Sequence, residues 1–452
     1  MAAARANLRG EKANLGGQLA FYGYSVSHNP VRAGEVFKSE LYWEPKTRLN
    51  SDYHIAVSLT DDAGHLWGQG DAVPFRGLHP MSTWEPGIVM RERHELKVNP
   101  GTPPGVYHLA LRVYDPATGE ALAGDTGDPS VSLGDIEVVR PDIPPSPREV
   151  RPQVVRDVSF GRRLRLLGFD LATRVRRPGD EIPLSTYWQA LGTLDQDYRL
   201  WLRLVGADGR LLAEKTLSPT SASYPTSRWR AWDVLQGQHR LIVPADAPSG
   251  QATVVLSVVD AQGRPLTAHR LRWLPLGGTD IRLATIEIAP RDNVVTAVPP
   301  MQRTLEARLS DKIELLGYNL KSIADPPGDV ADVEIRDSQF VIQGSEFEIE
   351  LYWRTQTVVD GNFKVTVQVL SSDNQVIAQH DSVPANWERP TAGWLPGEVI
   401  ADSHTLTLRP ETPAGTYRLI VAMYDPTNFS RLPVSQGGEM RDHVVLGTLV
   451  VR

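Results

Sequence analysis

The sequence of 452 residues contains no cysteine and carries a formal net charge of −7 at pH 7. A chain of this length can form several domains, and no disulfide holds any of them. The acidic balance argues against nucleic acid as a partner, because a nucleic-acid-binding protein favours a basic face. No apolar run approaches the roughly 18 residues that a membrane helix needs. The first residues lack the apolar stretch of a secretory signal, so we expect either a cytoplasmic protein or a processed part of a larger one.

A short aromatic segment recurs three times and identifies an internal repeat. Its copies end in Tyr42-Trp43, Tyr187-Trp188 and Tyr352-Trp353. A histidine and a second tryptophan recur at matching distances from each copy, as Trp84, His94, Trp229, His239, Trp394 and His404. The chain is therefore predicted to contain three copies of one module.

The repeats and the proline-rich segments between them divide the chain. The predicted parts are a tail at 1–14, a first repeat at 15–139, a linker at 140–155, a second repeat at 156–289, a linker at 290–302 and a third repeat at 303–452. The third repeat carries an insertion near 321–337, which its Pro, Gly and Asp residues predict to be an exposed loop. The linkers are expected to be extended, semi-rigid spacers that hold the repeats apart.

Apolar and polar residues alternate within each repeat, which predicts β-strands. In the first repeat, Phe37, Leu41 and Trp43 alternate with polar residues, so the Trp faces the core and Tyr42 the opposite side of the sheet. Two-residue turns are predicted after the next strand of each repeat, at Ala63-Gly64, Asp208-Gly209 and Asp373-Asn374. The fold class is all-β: three tandem immunoglobulin- or fibronectin-like β-sandwiches joined by Pro-rich linkers.

A tyrosine at the start of a late strand supports the sandwich. Tyr107 and Tyr417 follow a Pro-x-Gly segment, an arrangement that resembles the tyrosine corner of immunoglobulin-like domains. The second repeat has Ala252 at this position.

The recurring histidines are the most tempting chemical groups. His94, His239 and His404 could bind a metal or transfer protons. Because each module contributes only one of them, we interpret them as core histidines that bond to backbone. No catalytic constellation is present, and the chain is not expected to be an enzyme.

The recurring Trp84, Trp229 and Trp394 lie in turn-rich segments, where they could cap the end of a sandwich or stack on a sugar. Around the second of them, aromatic and arginine side chains crowd together, as they do in binding hot spots. The candidate ligand-binding residues are Tyr224, Arg228, Trp229, Arg230 and Trp232.

An acidic cluster in the insertion of the third repeat offers oxygen ligands. Asp325, Asp329 and Asp332 could bind calcium, although no fixed loop pattern is present and a solvated loop is the alternative. Calcium is the only cofactor that the sequence suggests.

The order of these motifs resembles tandem β-sandwich repeats of bacterial membrane proteins, which occur beside polytopic glycosyltransferases of the mannosyltransferase type and in related surface proteins. The resemblance rests on Leu167-Gly168-Phe169, Tyr187-Trp188, the 224–229 segment and Tyr424-Asp425-Pro426. It implies an extracytoplasmic, non-catalytic role and transfers no functional residue.

These observations lead to three hypotheses. The first is a non-catalytic, extracytoplasmic binding or spacer protein of the bacterial cell envelope, which recognises a glycan or a partner protein through its loops. The second is a structural subunit of a larger envelope or surface assembly. The third, least favoured, is an enzyme, either a hydrolase or an accessory part of a glycosyltransferase.

Overall fold

The computed structural model describes residues 8–10, 12–124, 129–171, 175–270, 274–275, 278–291, 294–323, 334–336, 339–342, 346–408 and 412–451. Its regular structure is almost entirely β-strand, which confirms the predicted all-β class. Three separate apolar cores lie along the chain, one formed by residues 15–138, one by 158–288 and one by 307–449.

The first repeat is a single sheet whose two halves enclose one core. The strands are β1 (Ala13–Leu15), β2 (Leu19–Val26), β3 (Val31–Arg32), β4 (Val36–Pro45), β5 (His54–Thr60), β6 (Leu66–Ala72), β7 (Met90–Val98), β8 (Gly105–Tyr114) and β9 (Val131–Val139). Their order is β1-β2-β4-β7-β6-β5-β8-β9-β3. Short 3-10 helices at Pro74–Gly77 and Met81–Thr83 connect β6 to β7.

The second repeat has two sheets. The strands are β10 (Val154–Phe160), β11 (Leu164–Leu171), β12 (Val175–Arg176), β13 (Glu181–Ala190), β14 (Arg199–Gly206), β15 (Leu211–Leu217), β16 (Val234–Ile242), β17 (Gly250–Val259), β18 (Ala268–Arg270), β19 (Leu274–Pro275) and β20 (Asp280–Ile288). The sheets run β16-β13-β11-β10-β18-β19 and β12-β20-β17-β14-β15. A helix α1 (Pro147–Val150) precedes β10, and a 3-10 helix lies at Thr226–Arg228.

The third repeat also has two sheets. The strands are β21 (Arg303–Leu309), β22 (Ile313–Ile323), β23 (Glu334–Arg336), β24 (Gln339–Ile342), β25 (Glu346–Thr355), β26 (Lys364–Leu370), β27 (Val376–Ser382), β28 (Val399–Thr407), β29 (Gly415–Tyr424), β30 (Val434–Gln436), β31 (Glu439–Arg441) and β32 (Val444–Val451). The sheets run β28-β25-β22-β21-β30-β31 and β23-β24-β32-β29-β26-β27. A 3-10 helix lies at Thr391–Gly393.

The three repeats share an immunoglobulin-like strand arrangement. A short strand (β3, β12 or β24) pairs in parallel with the last strand of its repeat, and every other pairing is antiparallel among the described strands. The strand that contains Tyr-Trp (β4, β13 or β25) lies in the sheet layer opposite this parallel pair, with one strand on each side of it. Its tryptophan is fully buried in each repeat, as the alternation predicts.

The tyrosine corners and the capping tryptophans are confirmed. Tyr107 and Tyr417 each donate the phenolic hydrogen to the carbonyl four residues earlier, at 2.7 Å in both cases. The capping tryptophans are buried, and each indole donates to the carbonyl five residues before it, which folds the loop over the end of the core.

Several local predictions need correction. Strands β22 and β23 extend into both ends of the predicted insertion loop, and residues 324–333 between them lie outside the described residues. The turns at Gly64, Gly209 and Asn374 have the expected positive φ, but they belong to longer connections. The predicted tail is not detached, because Arg9 and β1 pair with β2.

Candidate functional site

Two of the five predicted ligand-binding residues in the second repeat are not at the surface. Trp229 is 2% exposed and Tyr224 is 6% exposed, and both belong to the apolar core of the repeat. The interpretation of Trp229 as a sugar-stacking ring is therefore wrong. A ring packed against the core has no free face for a ligand, and the capping alternative holds.

The other three predicted residues, Arg228, Arg230 and Trp232, are exposed. The Arg228 side chain donates to the carbonyl of Ser223 at 3.2 Å. The backbone N–H of Trp232 donates to the carbonyl of Ala190 at 2.9 Å, while half of the residue's surface is open. Tyr224 and Trp229 of the predicted cluster thus form a buried support, and Arg228, Arg230 and Trp232 lie around it at the surface.

An arginine from the linker docks against this support and joins the first two repeats. The Arg140 guanidinium donates to Asp233 Oδ2 at 3.2 Å and to the carbonyl of Arg228 at 3.0 Å. It also bonds to the hydroxyl of Tyr224 and lies over the ring of that tyrosine. We call this set of contacts the first arginine junction. A groove of about 510 Å³ beside it is lined by Glu137, Arg140, Tyr224, Arg228 and Arg230, among others.

The same contact recurs between the second and third repeats. Arg291 donates to Glu398 Oε2 at 3.3 Å and to the carbonyl of Gly393 at 2.6 Å, and it also bonds to the carbonyl of Ala245. We call this the second arginine junction. In both junctions the carbonyl belongs to the last residue of a 3-10 helix, and the carboxylate is buried and accepts the N–H three residues earlier.

The acid that receives each arginine occupies one aligned position of the repeat. Asp233 in the second repeat corresponds to Glu398 in the third and to the exposed Ile88 in the first. The second and third repeats, each of which follows a linker, share an acid at this position, and the first repeat does not. This difference is visible in the sequence. The pairing of each acid with a linker arginine is not predicted from the sequence, because Arg140 and Arg291 lie at different positions of their linkers.

The junctions also bring backbone into close contact. The N–H of Gln236 donates to the carbonyl of Gly101 at 2.8 Å, across the first junction. At the second, a Cβ on Gly393 would lie 2.4 Å from the carbonyl oxygen of Pro178. Helix α1 packs Val150 against Tyr187 on the outer face of the second repeat. The prediction that the linkers hold the repeats apart is therefore wrong.

A groove of about 530 Å³ lies where all three repeats meet. It is lined by Asp61 and His65 of the first repeat, by Glu181 and Arg240 of the second and by Thr427 of the third, among others. Four of its charged or titratable groups are paired, since His65 lies 3.0 Å from Asp61 and Arg240 lies 3.6 Å from Glu181. Internal pairing of this kind is typical of a wet domain interface.

The recurring histidines are buried, as interpreted, but the expected bond to backbone is not shared by all three, because His404 contacts two side chains. His94 Nε2 contacts the carbonyl of Gly70 at 2.9 Å, and His239 Nε2 contacts the Thr186 hydroxyl at 2.8 Å. Burial lowers the pKa of His239 to about 3, with His65 and Lys215 adding to the shift, so this imidazole is neutral at pH 7. His404 contacts Asp402 at 3.0 Å and His380 at 2.8 Å.

The calcium prediction falls outside the described residues. Asp325, Asp329 and Asp332 lie in the part of the insertion that the structure does not describe. In the described part of the chain, no group of His, Asp and Glu side chains is arranged to hold a metal ion. Calcium binding stays a prediction.

Comparisons with known proteins identify no family for this chain. No family model matches the chain, and no curated protein matches its sequence. Among solved structures, a Salmonella alpha-2-macroglobulin is similar over 96% of this chain at 12% identity and a TM-score of 0.17. A putative membrane anchored protein from Corynebacterium diphtheriae covers the same share at 8% identity, with 91% of its own chain matched and a TM-score of 0.17.

A red sea bream transglutaminase covers 64% of this chain at 12% identity and a TM-score of 0.17. The present chain spans 24% of the macroglobulin chain and 31% of the transglutaminase chain. Within the described residues, the structure has no helix with the length and apolar character that crossing a membrane requires.

Proposed function

We propose that this chain is a non-catalytic scaffold of the bacterial cell envelope, which holds three β-sandwiches as one rigid body and presents their loops to a glycan or a partner protein. The observation that carries the proposal is the arginine junction, which occurs twice and in both cases joins a linker arginine to a buried carboxylate and to the last carbonyl of a 3-10 helix. A flexible string of domains has no need for a buried carboxylate at each boundary.

The energetics of the junctions support a rigid body. Asp233 is buried and pairs with Arg140 of the first linker. Glu398 is fully buried and pairs with Arg291 of the second linker and with Arg389 of its own repeat. Removing one partner of a buried ion pair costs about 3–5 kcal/mol, because the other charge is left uncompensated. Loss of Arg140 would remove this partner from Asp233, which favours the docked arrangement at the first boundary. At the second boundary Arg389 still pairs with Glu398, so the contribution of Arg291 is smaller there.

The buried histidines support a non-catalytic role. His94, His239 and His404 lie inside the sandwiches and bond to groups of their own repeat. A general acid or base must reach a substrate proton within hydrogen-bond distance. Enclosed imidazoles of this kind serve the core.

Distance measurements between spin labels test the rigid scaffold. Because the chain has no cysteine, Ala117→Cys, Ala261→Cys and Ser372→Cys place single labels at exposed positions of the three repeats. Pulsed electron resonance of the 117/261 and 261/372 pairs should give one narrow distance distribution each. Arg140→Met should broaden only the first distribution, and Arg291→Met only the second.

Arg148→Met is the matched control, since Arg148 is an exposed arginine of the first linker. It should leave both distributions narrow. Broad distributions in the unsubstituted protein, or distributions that neither junction variant changes, would refute the rigid scaffold.

A further inference from the structure

Three exposed aromatic residues have a left-handed backbone conformation. Trp232, Trp387 and Phe429 are the aromatic members of the exposed large hydrophobic residues in the described chain, at 50%, 60% and 60% exposure. Their φ angles are +71°, +74° and +58°. A bulky residue with positive φ is a conformational outlier, since its Cβ crowds the following carbonyl.

The first repeat has glycine at the positions that align with Trp387 and Phe429. Trp387 aligns with Gly77 of the first repeat, which has φ +78°, and Phe429 aligns with Gly119, which has φ +76°. The turns are the same, because the N–H groups of Gly119 and Phe429 donate to the matching Asp carbonyls at 2.7 and 2.8 Å. The third repeat thus has a large ring where the backbone favours glycine.

The two rings of the third repeat lie at the same end of one sheet. The ammonium group of Lys364 lies 4.8 Å from the centre of the Trp387 ring. Lys364 pairs in register with Tyr424 on the neighbouring strand, and the Tyr424 ring stacks on Phe429 at 6.1 Å with an 18° tilt. Trp387, Lys364, Tyr424 and Phe429 therefore follow one another along this end of the sheet, with Tyr424 buried at 8% exposure and in contact with the exposed Phe429 ring.

Polar groups with defined orientation lie beside these rings. The Tyr424 hydroxyl donates to Asp381 Oδ2 at 3.2 Å, and Gln379 donates to the same oxygen at 3.0 Å. The buried amide of Gln368 donates to Gln379 at 2.7 Å and orients it. The surface combines exposed rings with amide, carboxylate and ammonium groups.

We propose that Trp387 and Phe429, with Lys364, Gln379 and Asp381, form a carbohydrate-binding platform on the third repeat, in which the buried Tyr424 supports Phe429 and Asp381. A pyranose has an apolar C–H face that packs on an aromatic ring and a rim of hydroxyl groups that need polar partners. Both kinds of contact are available here, whereas a protein partner favours anchors that fill a well-packed apolar pocket. The inference rests on the proposed role of the chain as a scaffold that presents binding loops.

The test replaces each aromatic residue with the glycine that the first repeat has at the aligned position. Trp387→Gly and Phe429→Gly each remove one ring and relieve the left-handed strain, so both variants should fold with an unchanged or higher melting temperature. Isothermal titration of the full chain with cellohexaose, chitohexaose and mannohexaose, and co-sedimentation with peptidoglycan, measure binding. The unsubstituted protein should bind at least one of these probes, and each variant should bind it at least about tenfold more weakly.

Met440→Ala is the matched control, because Met440 is an exposed apolar residue on the other sheet of the same repeat. It should leave the affinity unchanged. Absence of binding to every probe, full affinity in both glycine variants, or a lower melting temperature in them would overturn the proposal. The spin-label distances do not depend on these rings, so this proposal and the rigid scaffold can fail separately.

Discussion

At the centre of each sandwich a tryptophan and a histidine lie near a third polar side chain, and that side chain differs among the repeats. In the third repeat, Asp402 accepts from Trp353 at 3.1 Å and contacts His404. In the second, the aligned residue is Gly237, and the hydroxyl of Thr186 on the facing strand accepts from Trp188 at 2.7 Å. The polar contact is kept although the residue that makes it has moved to the neighbouring strand.

The first repeat lacks this contact. Trp43 Nε1, Glu92 Oε2 and His94 Nδ1 are buried, and none of these atoms has a hydrogen-bond partner among the described residues. The carboxylate of Glu92 lies 3.8 Å from His94. A buried polar atom without a partner costs free energy, so we expect this group of side chains to be a weak point of the repeat.

Glu92 should make the first repeat less stable at alkaline pH. Burial raises the pKa of Glu92 from 4.5 to about 7, so the folded chain keeps a proton that the unfolded chain releases between these values. The stability that this carboxyl contributes is therefore lost as the pH rises from about 4.5 through about 7. Glu92→Gln should raise the free energy of unfolding at pH 8 by on the order of 3 kcal/mol, and by little at pH 4.5.

Scanning calorimetry of the full chain at the two pH values measures this effect. Burial also lowers the pKa of His94, and stability from this group is lost as the pH falls below 6.5, which is the opposite sign. Glu95→Gln is the control, because Glu95 lies on the exposed face of the same strand. A Glu92→Gln protein that melts below the unsubstituted protein at pH 8 would contradict the prediction.

At the scale of the loops, the two tryptophans at the end of the second sandwich should respond differently to truncation. Trp229→Ala should destabilise the repeat by about 3–5 kcal/mol, because it leaves a large cavity in the core. Trp232→Ala should change stability by under about 1 kcal/mol, because half of that residue is already exposed. Urea unfolding of both variants measures the contrast. Equal midpoints would show that Trp229 does not support the core.

The strands and their caps could be predicted because their causes lie close together in the sequence. Alternation of period two placed Trp43, Trp188 and Trp353 in the core, and a Pro-x-Gly-x-Tyr segment located the tyrosine corners. The turn at Gly64 was located correctly, but its length depends on a bulge in the pairing of β5 and β6, which the sequence does not specify.

The candidate sites could be predicted only in part. Trp229 and Trp232 have similar sequence surroundings, and burial of the first follows from how the loop folds over the core. The exposed Trp387 and Phe429 were missed, although alignment with Gly77 and Gly119 contained the signal. The sequence shows only that glycine occurs at the aligned positions, and the left-handed conformation of the two aromatic residues is known from the structure.

At the scale of the whole molecule, the contacts place the first and third repeats against each other. A Cβ on Gly64 of the first repeat would lie 3.3 Å from Thr427 of the third. The two arginine junctions connect the second repeat to each of them, and helix α1 of the first linker packs on the second repeat. None of these contacts follows from periodicity within a module, because each depends on residues of different repeats.

The closest backbone approach between repeats gives a test of this arrangement. Gly393 lies against Pro178 and Gly179, and a Cβ there would meet the Pro178 carbonyl oxygen at 2.4 Å. Backbone on both sides cannot move aside, so Gly393→Ala should push the second and third repeats apart. It should also displace the Gly393 carbonyl that accepts from Arg291.

Limited proteolysis of the full chain measures the consequence, with cleavage in the 290–302 linker as the readout. Gly393→Ala should be cut there faster than the unsubstituted protein. Gly192→Ala is the control, because a Cβ on Gly192 meets no atom within 4 Å. If both variants are cut at the unsubstituted rate, the two repeats are not held together by this contact. If only Gly393→Ala is cut faster, the rigidity of the molecule depends on glycine at a boundary between domains, as well as on the buried charges beside it.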